Sequence, residues 1–269
     1  MVKIHGLFDD SDHIITEQKG VFRVVEHQRD MTVSPMTAQV EYFMGKMGVR
    51  KKQILACMDG SVGVTVQAGA MQWMAGDVHA TTGIKGAGDL MGKMFKGAVT
   101  GESTVKPEYR GSGYLMLEPT YKYLLLEEVS DWDGGLVLDD GLFLACESTV
   151  KQKIQARSNI SSAAFGNMGL FNLMLAGKGV AALESNVTRE QLIVIDLKDD
   201  VLKIDGNFAI CWSGSLKFKV EKSGKTLVGS AVSGEGLVNV YEGTGRVILS
   251  TLDNSATLYT AGTPQPKKK

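Results

Sequence analysis

Three Gly-x-Gly triplets, each opening a strand-like apolar run, stand at equal intervals along the chain: Gly111-Ser112-Gly113, Gly177-Lys178-Gly179 and Gly243-Thr244-Gly245. A second landmark precedes each of them, at Gly69-Ala70-Met71, Gly141-Leu142-Phe143 and Asn207-Phe208-Ala209. From that landmark to the next triplet the second and third intervals are equal (141 to 177, 207 to 243), and the first is longer (69 to 111). Two markers that keep a common spacing point to tandem copies of one unit, the first with extra length. Glycine and asparagine tolerate a left-handed backbone, so Gly69, Gly141 and Asn207 are expected to make one turn three times, and Gly111, Gly177 and Gly243 another.

Between these turns the apolar residues alternate, as in Leu216-Lys217-Phe218-Lys219-Val220, which places them on one face of a strand. Helical heptads are absent, and 32 glycines against 5 prolines suit many tight turns. The fold class read from this is all-β with few short helices. A unit of such size makes a marginal core alone, so three copies around a shared pseudo-threefold axis are expected, with about five or six strands each. The expected divisions are strands and a cap over 1–53, copies over 54–118, 119–184 and 185–252, and a tail over 253–269, all in one compact domain. Within the cap, 21–25 reads as a strand and 36–45 as a short helix.

The charge balance, 29 basic against 30 acidic residues, gives no field that favours phosphate backbones, so no nucleic acid is expected as a partner. Cys57, Cys146 and Cys211 are odd in number, far apart and set in apolar runs, as reduced core thiols are. No run of eighteen apolar residues occurs and the first residues lack an apolar leader core, so a cytoplasmic protein is expected, with peripheral contact at a membrane left open.

Chemistry-bearing motifs are scarce. His5, His13, His27 and His79 show no metal-ligand spacing, and neither a metal nor a cofactor is expected. The acid pairs Glu127-Glu128, Asp139-Asp140 and Asp199-Asp200 suit solvated turns. There is no Gly-x-Ser-x-Gly elbow, and Ser223-Gly224-Lys225-Thr226 lacks the first glycine of a phosphate loop. Trp73, Trp132 and Trp212 read as core or inter-repeat packing. One segment stands out, 83–101, where Leu90, Met91, Met94 and Phe95 would share a face of an amphipathic helix and form a candidate interaction surface.

The phrases Ser233-Gly234-Glu235-Gly236-Leu237-Val238, Gly243-Thr244-Gly245-Arg246-Val247-Ile248-Leu249, Gly97 to Ser103 and Asp205 to Trp212 resemble the altered-inheritance-of-mitochondria protein 24 family. That resemblance implies a TRAP-like double-stranded β-helix of three tandem units wound into a prism. It supplies no catalytic residues, and the family's mitochondrial members associate with the inner membrane. Two readings of function follow. In the first, the chain is a non-catalytic architectural or binding protein that forms homo-oligomers and docks on a partner protein or membrane surface. The alternative is a small-molecule-binding or hydrolytic enzyme with a pocket between repeats, for which Glu102, Asp139, Asp205, Glu235 and His79 would have to converge.

Overall fold

The computed structural model describes residues 2–9, 11–81, 106–156, 171–222 and 237–252. They form β1 (His13–Lys19), β2 (Phe22–His27), α1 (Ala38–Lys46), β3 (Lys52–Asp59), β4 (Val64–Val66), β5 (Met71–Thr81) and β6 (Glu108–Leu117). Then come β7 (Tyr123–Glu128), β8 (Leu136–Leu138), β9 (Phe143–Glu147), β10 (Val150–Ala156), β11 (Phe171–Gly177) and β12 (Val180–Ser185). The last are β13 (Ile193–Asp205), β14 (Ala209–Ser213), β15 (Lys217–Lys222) and β16 (Leu237–Leu249). The protein is all-β with one α-helix among the described residues.

Every ladder is antiparallel, and the strands fall into two curled sheets. The first follows the order β1-β2-β3-β6-β4-β9-β12-β7, with β5 beside β6. It bends round until its ends meet: Lys19 Nζ donates to the carbonyl of Leu126 at 3.0 Å, and Arg189 bridges Glu17 and Glu127 at 3.7 and 2.8 Å. The second sheet follows the order β10-β11-β8-β14-β16-β13, with β15 beside β16.

Strand alternation distributes the apolar side chains over successive cores. Leu124 and Leu126 face the interior of the first sheet with Phe22, Ile54, Val64 and Leu115. Leu125, between them, faces the opposite way into a second core with Trp132, Leu136, Leu183 and Cys211. In β8 the same division recurs, Leu136 and Leu138 lining the second core and Val137 a third, built on Trp212, Tyr241 and Val247. A small fourth cluster, Val25, Leu55 and Met116 with Leu7, Trp73 and Tyr114 against it, sits on the outer face of the first sheet.

Two ladders join strands that are distant in sequence, and they share one register. In the first, Val64, Thr65 and Val66 pair with Glu147, Cys146 and Ala145. In the second, Leu136, Val137 and Leu138 pair with Ser213, Trp212 and Cys211. One constant shift along the chain carries each residue of β4 to its counterpart in β8 (64 to 136), and another carries β9 to β14 (147 to 213). The second shift equals the interval between successive Gly-x-Gly triplets (111 to 177, 177 to 243).

The glycine landmarks behave differently from expectation in two places. The Gly-x-Gly triplets are not strand-opening turns throughout, because β6 and β16 run unbroken across theirs. Only at Gly177 does the chain end one strand and start another, passing from the second sheet to the first. In all three, both glycines have positive φ, and at Gly111 a Cβ would overlap the Asp77 carbonyl. At Gly111 and Gly113 two backbones, those of β5 and β6, approach closely. Asn207 is the second correction: Gly69 and Gly141 are left-handed at φ +82° and +79°, but at the third landmark Gly206 takes that conformation at +78°. A glycine adjacent to the turn adopts it with less strain than asparagine does.

Candidate interaction surface

The chemistry that would mark a catalytic centre is dispersed among the described residues. His13 and His27, remote in sequence, are register partners across β1 and β2 with ring centroids 4.9 Å apart. His27 Nε2 lies 2.7 Å from Gln53 Oε1, and no group of three or more His, Cys, Asp or Glu side chains could hold a metal ion among the described residues. Of the five residues whose convergence would favour an enzyme, Glu102 and Glu235 lie outside the described residues. Asp139 accepts from Asn207 Nδ2 at 2.8 Å, Asp205 ends β13, and His79 is exposed on β5.

The acid pairs are corrected in part. Glu127 and Glu128 end β7 rather than a solvated turn; Glu128 accepts the Gly179 amide at 3.0 Å and the Ser130 hydroxyl at 2.8 Å. Asp199 has φ +53° at the bulge in β13, where its amide donates to Thr244 Oγ1 at 3.0 Å. Trp132 and Trp212 are buried, and Trp73 is half-buried. Cys146 and Cys211 are buried and unbridged; burial pushes the Cys146 thiol up to about 12 and raises Cys211 as well.

The chain exposes an apolar stripe on α1. Local sequence accounts for the helix. Ser34 and Thr37 exchange hydrogen bonds ahead of it, the carbonyl of Ser34 accepting the amides of Thr37 and Ala38 at 3.0 and 2.9 Å. Glu41 lies in the first turn and Lys46 in the last, the signs that the helix dipole favours. Gly48, at φ +79°, ends the helix, and the Val49 amide returns to the carbonyl of Met44 at 2.9 Å.

Val40, Phe43, Met44 and Met47 recur at helical spacing, yet no residue of α1 is buried. Val40, Phe43 and Met47 are 61%, 56% and 74% exposed, and Met31 and Met36 beside them 85% and 90%. The expected cap is thus divided. The β1–β2 hairpin contributes Phe22 and Val24 to the first core, whereas α1 stands off the body.

Between α1 and the sheet runs a groove of about 660 Å³, lined by Arg29, Met31, Val33, Tyr42, Val49 and Tyr121 among others. Most of its charges are held by partners within the chain, and Lys46 lies over the Tyr42 ring. Lys51 holds Asp30, whose carboxyl this hydrogen bond keeps well below the usual range. Arg29 meets Asp12 at 2.6 Å, and Tyr121 donates to Glu41 Oε2 at 3.2 Å, tying the helix to the body. Such a surface can bury apolar area against a partner and offers little net charge to attract an ion.

The segment expected as the interaction surface, with Leu90, Met91, Met94 and Phe95, lies outside the described residues. The stripe on α1 was open to the same reasoning, since Val40, Phe43, Met44 and Met47 carry the same periodicity. Among the described residues no helix is long and apolar enough to cross a membrane.

The family described as "Mitochondrial biogenesis AIM24" matches residues 47–252 of this chain. An uncharacterised protein of Streptococcus pyogenes serotype M6 is 28% identical over 198 residues, covering 71% of this chain and 77% of that protein. The X-ray crystal structure of another Streptococcus pyogenes protein matches with a TM-score of 0.57 and 23% identity, over 87% of this chain and 95% of that one. At that identity the likeness extends to the fold.

Proposed function

This chain belongs to the AIM24 family, and from that premise we propose a non-catalytic architectural protein that self-associates and docks through α1 on the apolar surface of a partner protein or membrane. The observation that carries this reading is a helix with regular apolar spacing and no buried residue. Packing it on its own sheet would have sheltered Val40, Phe43 and Met47; leaving them exposed forgoes that burial, as a docking element does. The site of action under this reading is the cytoplasm, peripheral to a membrane where lipid is the surface.

The same reading includes three tandem units in a TRAP-like double-stranded β-helix. The shared register of the β4–β9 and β8–β14 ladders supports it, since neighbouring units would meet through the same pair of strands each time. So do the paired positive-φ glycines at 111 and 113, 177 and 179, and 243 and 245.

The test combines light scattering at micromolar concentration with flotation on neutral and anionic vesicles. Wild-type protein and the triple variant Val40→Ser, Phe43→Ser, Met47→Ser are compared. Self-association together with docking that the variant loses supports the proposal. A wild-type chain that stays at 29.0 kDa and binds neither vesicles nor a protein partner through α1 overturns it.

A further inference from the structure

We infer that β13 of one copy pairs with β5 of a second copy, head to tail, in the register that already joins β4 to β9 and β8 to β14. This rests on the self-associating reading above and names its surface. Among the described residues, β13 has β16 as its one ladder partner and β5 has β6. Each therefore presents an edge, and the two edges are the halves of a third joint.

The triplet interval, which takes 147 to 213, carries Leu136, Val137 and Leu138 of β8 forward to Leu202, Lys203 and Ile204 in β13. The shift that takes 64 to 136, applied in reverse, carries Glu147, Cys146 and Ala145 of β9 back to Ala75, Met74 and Trp73 in β5. The expected pairs are thus Leu202 with Ala75, Lys203 with Met74, and Ile204 with Trp73 of the second copy.

The flanking hydrogen bonds translate in the same way. Gln67 donates to the carbonyl of Leu144 at 2.7 Å and Ser148 to that of Gly63 at 2.8 Å. Under the same two shifts their counterparts are Asp139 to Ile210 at 2.9 Å and Gly214 to Gly135 at 2.8 Å. The third set would run from the Asp205 amide to the carbonyl of Gln72, and from the amide of Gly76 to the carbonyl of Val201.

Side-chain placement agrees with this assignment. Val66 and Ala145 share the first core, and their counterparts Leu138 and Cys211 share the second. Ile204 lies in the third core, whereas Trp73 lies against the separate outer cluster of Val25, Leu55 and Met116. Docking would merge these two clusters into one. It would also cover apolar side chains left in water at the joint itself, Val201 and Met74, 46% and 44% exposed. Strand edges with apolar flanks and no proline invite such pairing. A head-to-tail joint leaves one edge unused at each end, so it propagates unless the rotation closes a ring.

The test uses two prolines in the full chain. Alternation along the strands directs the amides of Lys203 and Met74 away from β16 and β6, so Lys203→Pro and Met74→Pro each block one edge without removing a bond of the existing ladders. Circular dichroism checks that each folds. By light scattering, wild type is expected to associate, and each variant alone to do so at least tenfold more weakly. An equimolar mixture is expected to form a 1:1 dimer and nothing larger, because only one intact pair of edges remains.

Wild-type association that both variants retain, or a mixture that stays monomeric, overturns the joint while leaving self-association standing. Hydrogen exchange on the wild type supplies a readout that needs no variant. The amides of Met74, Lys203 and Asp205 should become protected as concentration rises. Protection independent of concentration in a monomer would mean that the edges close within one chain, and would overturn both the joint and the self-associating reading.

Discussion

The side chain of Glu147 accepts the backbone amide of Val21 at 3.0 Å, linking residues 126 positions apart, while its other oxygen accepts the amide of Val180 at 3.0 Å. Glu147 is only 8% exposed, so this carboxylate closes the β1–β2 turn onto the body of the first sheet where water has little access. Glu147→Ala leaves two amides without an acceptor, one of them buried, and should cost about 2–3 kcal/mol. Glu147→Gln keeps one acceptor oxygen and should cost less. Urea denaturation reads both; an unchanged midpoint for Glu147→Ala would mean that the hairpin is held by its apolar residues alone.

Two glycines separate conformational strain from steric overlap. Gly69 has φ +82° with open space around its missing Cβ, so Gly69→Ala should cost about 1–2 kcal/mol, the strain of the left-handed backbone. Gly111 has φ +113° and faces the Asp77 carbonyl, whose carbon would stand 2.9 Å from a Cβ. Gly111→Ala must also push β5 and β6 apart and should cost roughly 3 kcal/mol or more. Equal melting-temperature shifts for the two variants would contradict this difference.

The thiols should react unequally. Cys146 and Cys211 are buried and Cys57 half-buried, so an aromatic disulfide reagent at pH 8 should titrate at most one thiol in native protein and three after unfolding. Burial raises the folded-state value of Cys146 to about 12 and moves Cys211 in the same direction. An acid whose folded value is raised stays protonated in the folded chain while the unfolded chain ionises. Stability therefore falls as pH rises above the unfolded thiol value. By pH 10 the loss should be about 2 kcal/mol for Cys146, with Cys211 adding in the same direction. Cys146→Ala should flatten that slope, and a slope unaffected by the substitution would point to other groups.

Substitution on α1 should separate docking from stability. Phe43→Ser and Met47→Ser remove exposed apolar atoms, so each should shift stability by no more than about 0.5 kcal/mol. A large fall in melting temperature would mean that the stripe packs on this chain itself and is no docking element.

Much of the architecture could be read in advance, because it follows from local rules. β3 and β7 lie where strand-like apolar runs stand, α1 lies within two residues of the expected helix, and the landmark spacing reappears in the register of two ladders. Other features were not legible. Leu124-Leu125-Leu126 is a uniform apolar run because β7 is a wall between two cores, and no pattern within it allots its faces. Glu147 looks like any strand-end acid until the fold brings Val21 and Val180 to it. The exchange of Asn207 for Gly206 at the left-handed position turns on a shift of one residue, finer than spacing resolves.

The sequence by itself determined the strand class, the bends and the repeating interval, since alternation, glycine sterics and spacing act within a few residues or recur along the chain. Tertiary structure decided which strands pair, which apolar face becomes core and which stays in water. Those choices compare near-equivalent β edges and faces far apart in the chain. What distinguishes them is the joint fit of whole sheets, which left α1 in water and β5 and β13 with one ladder partner each among the described residues.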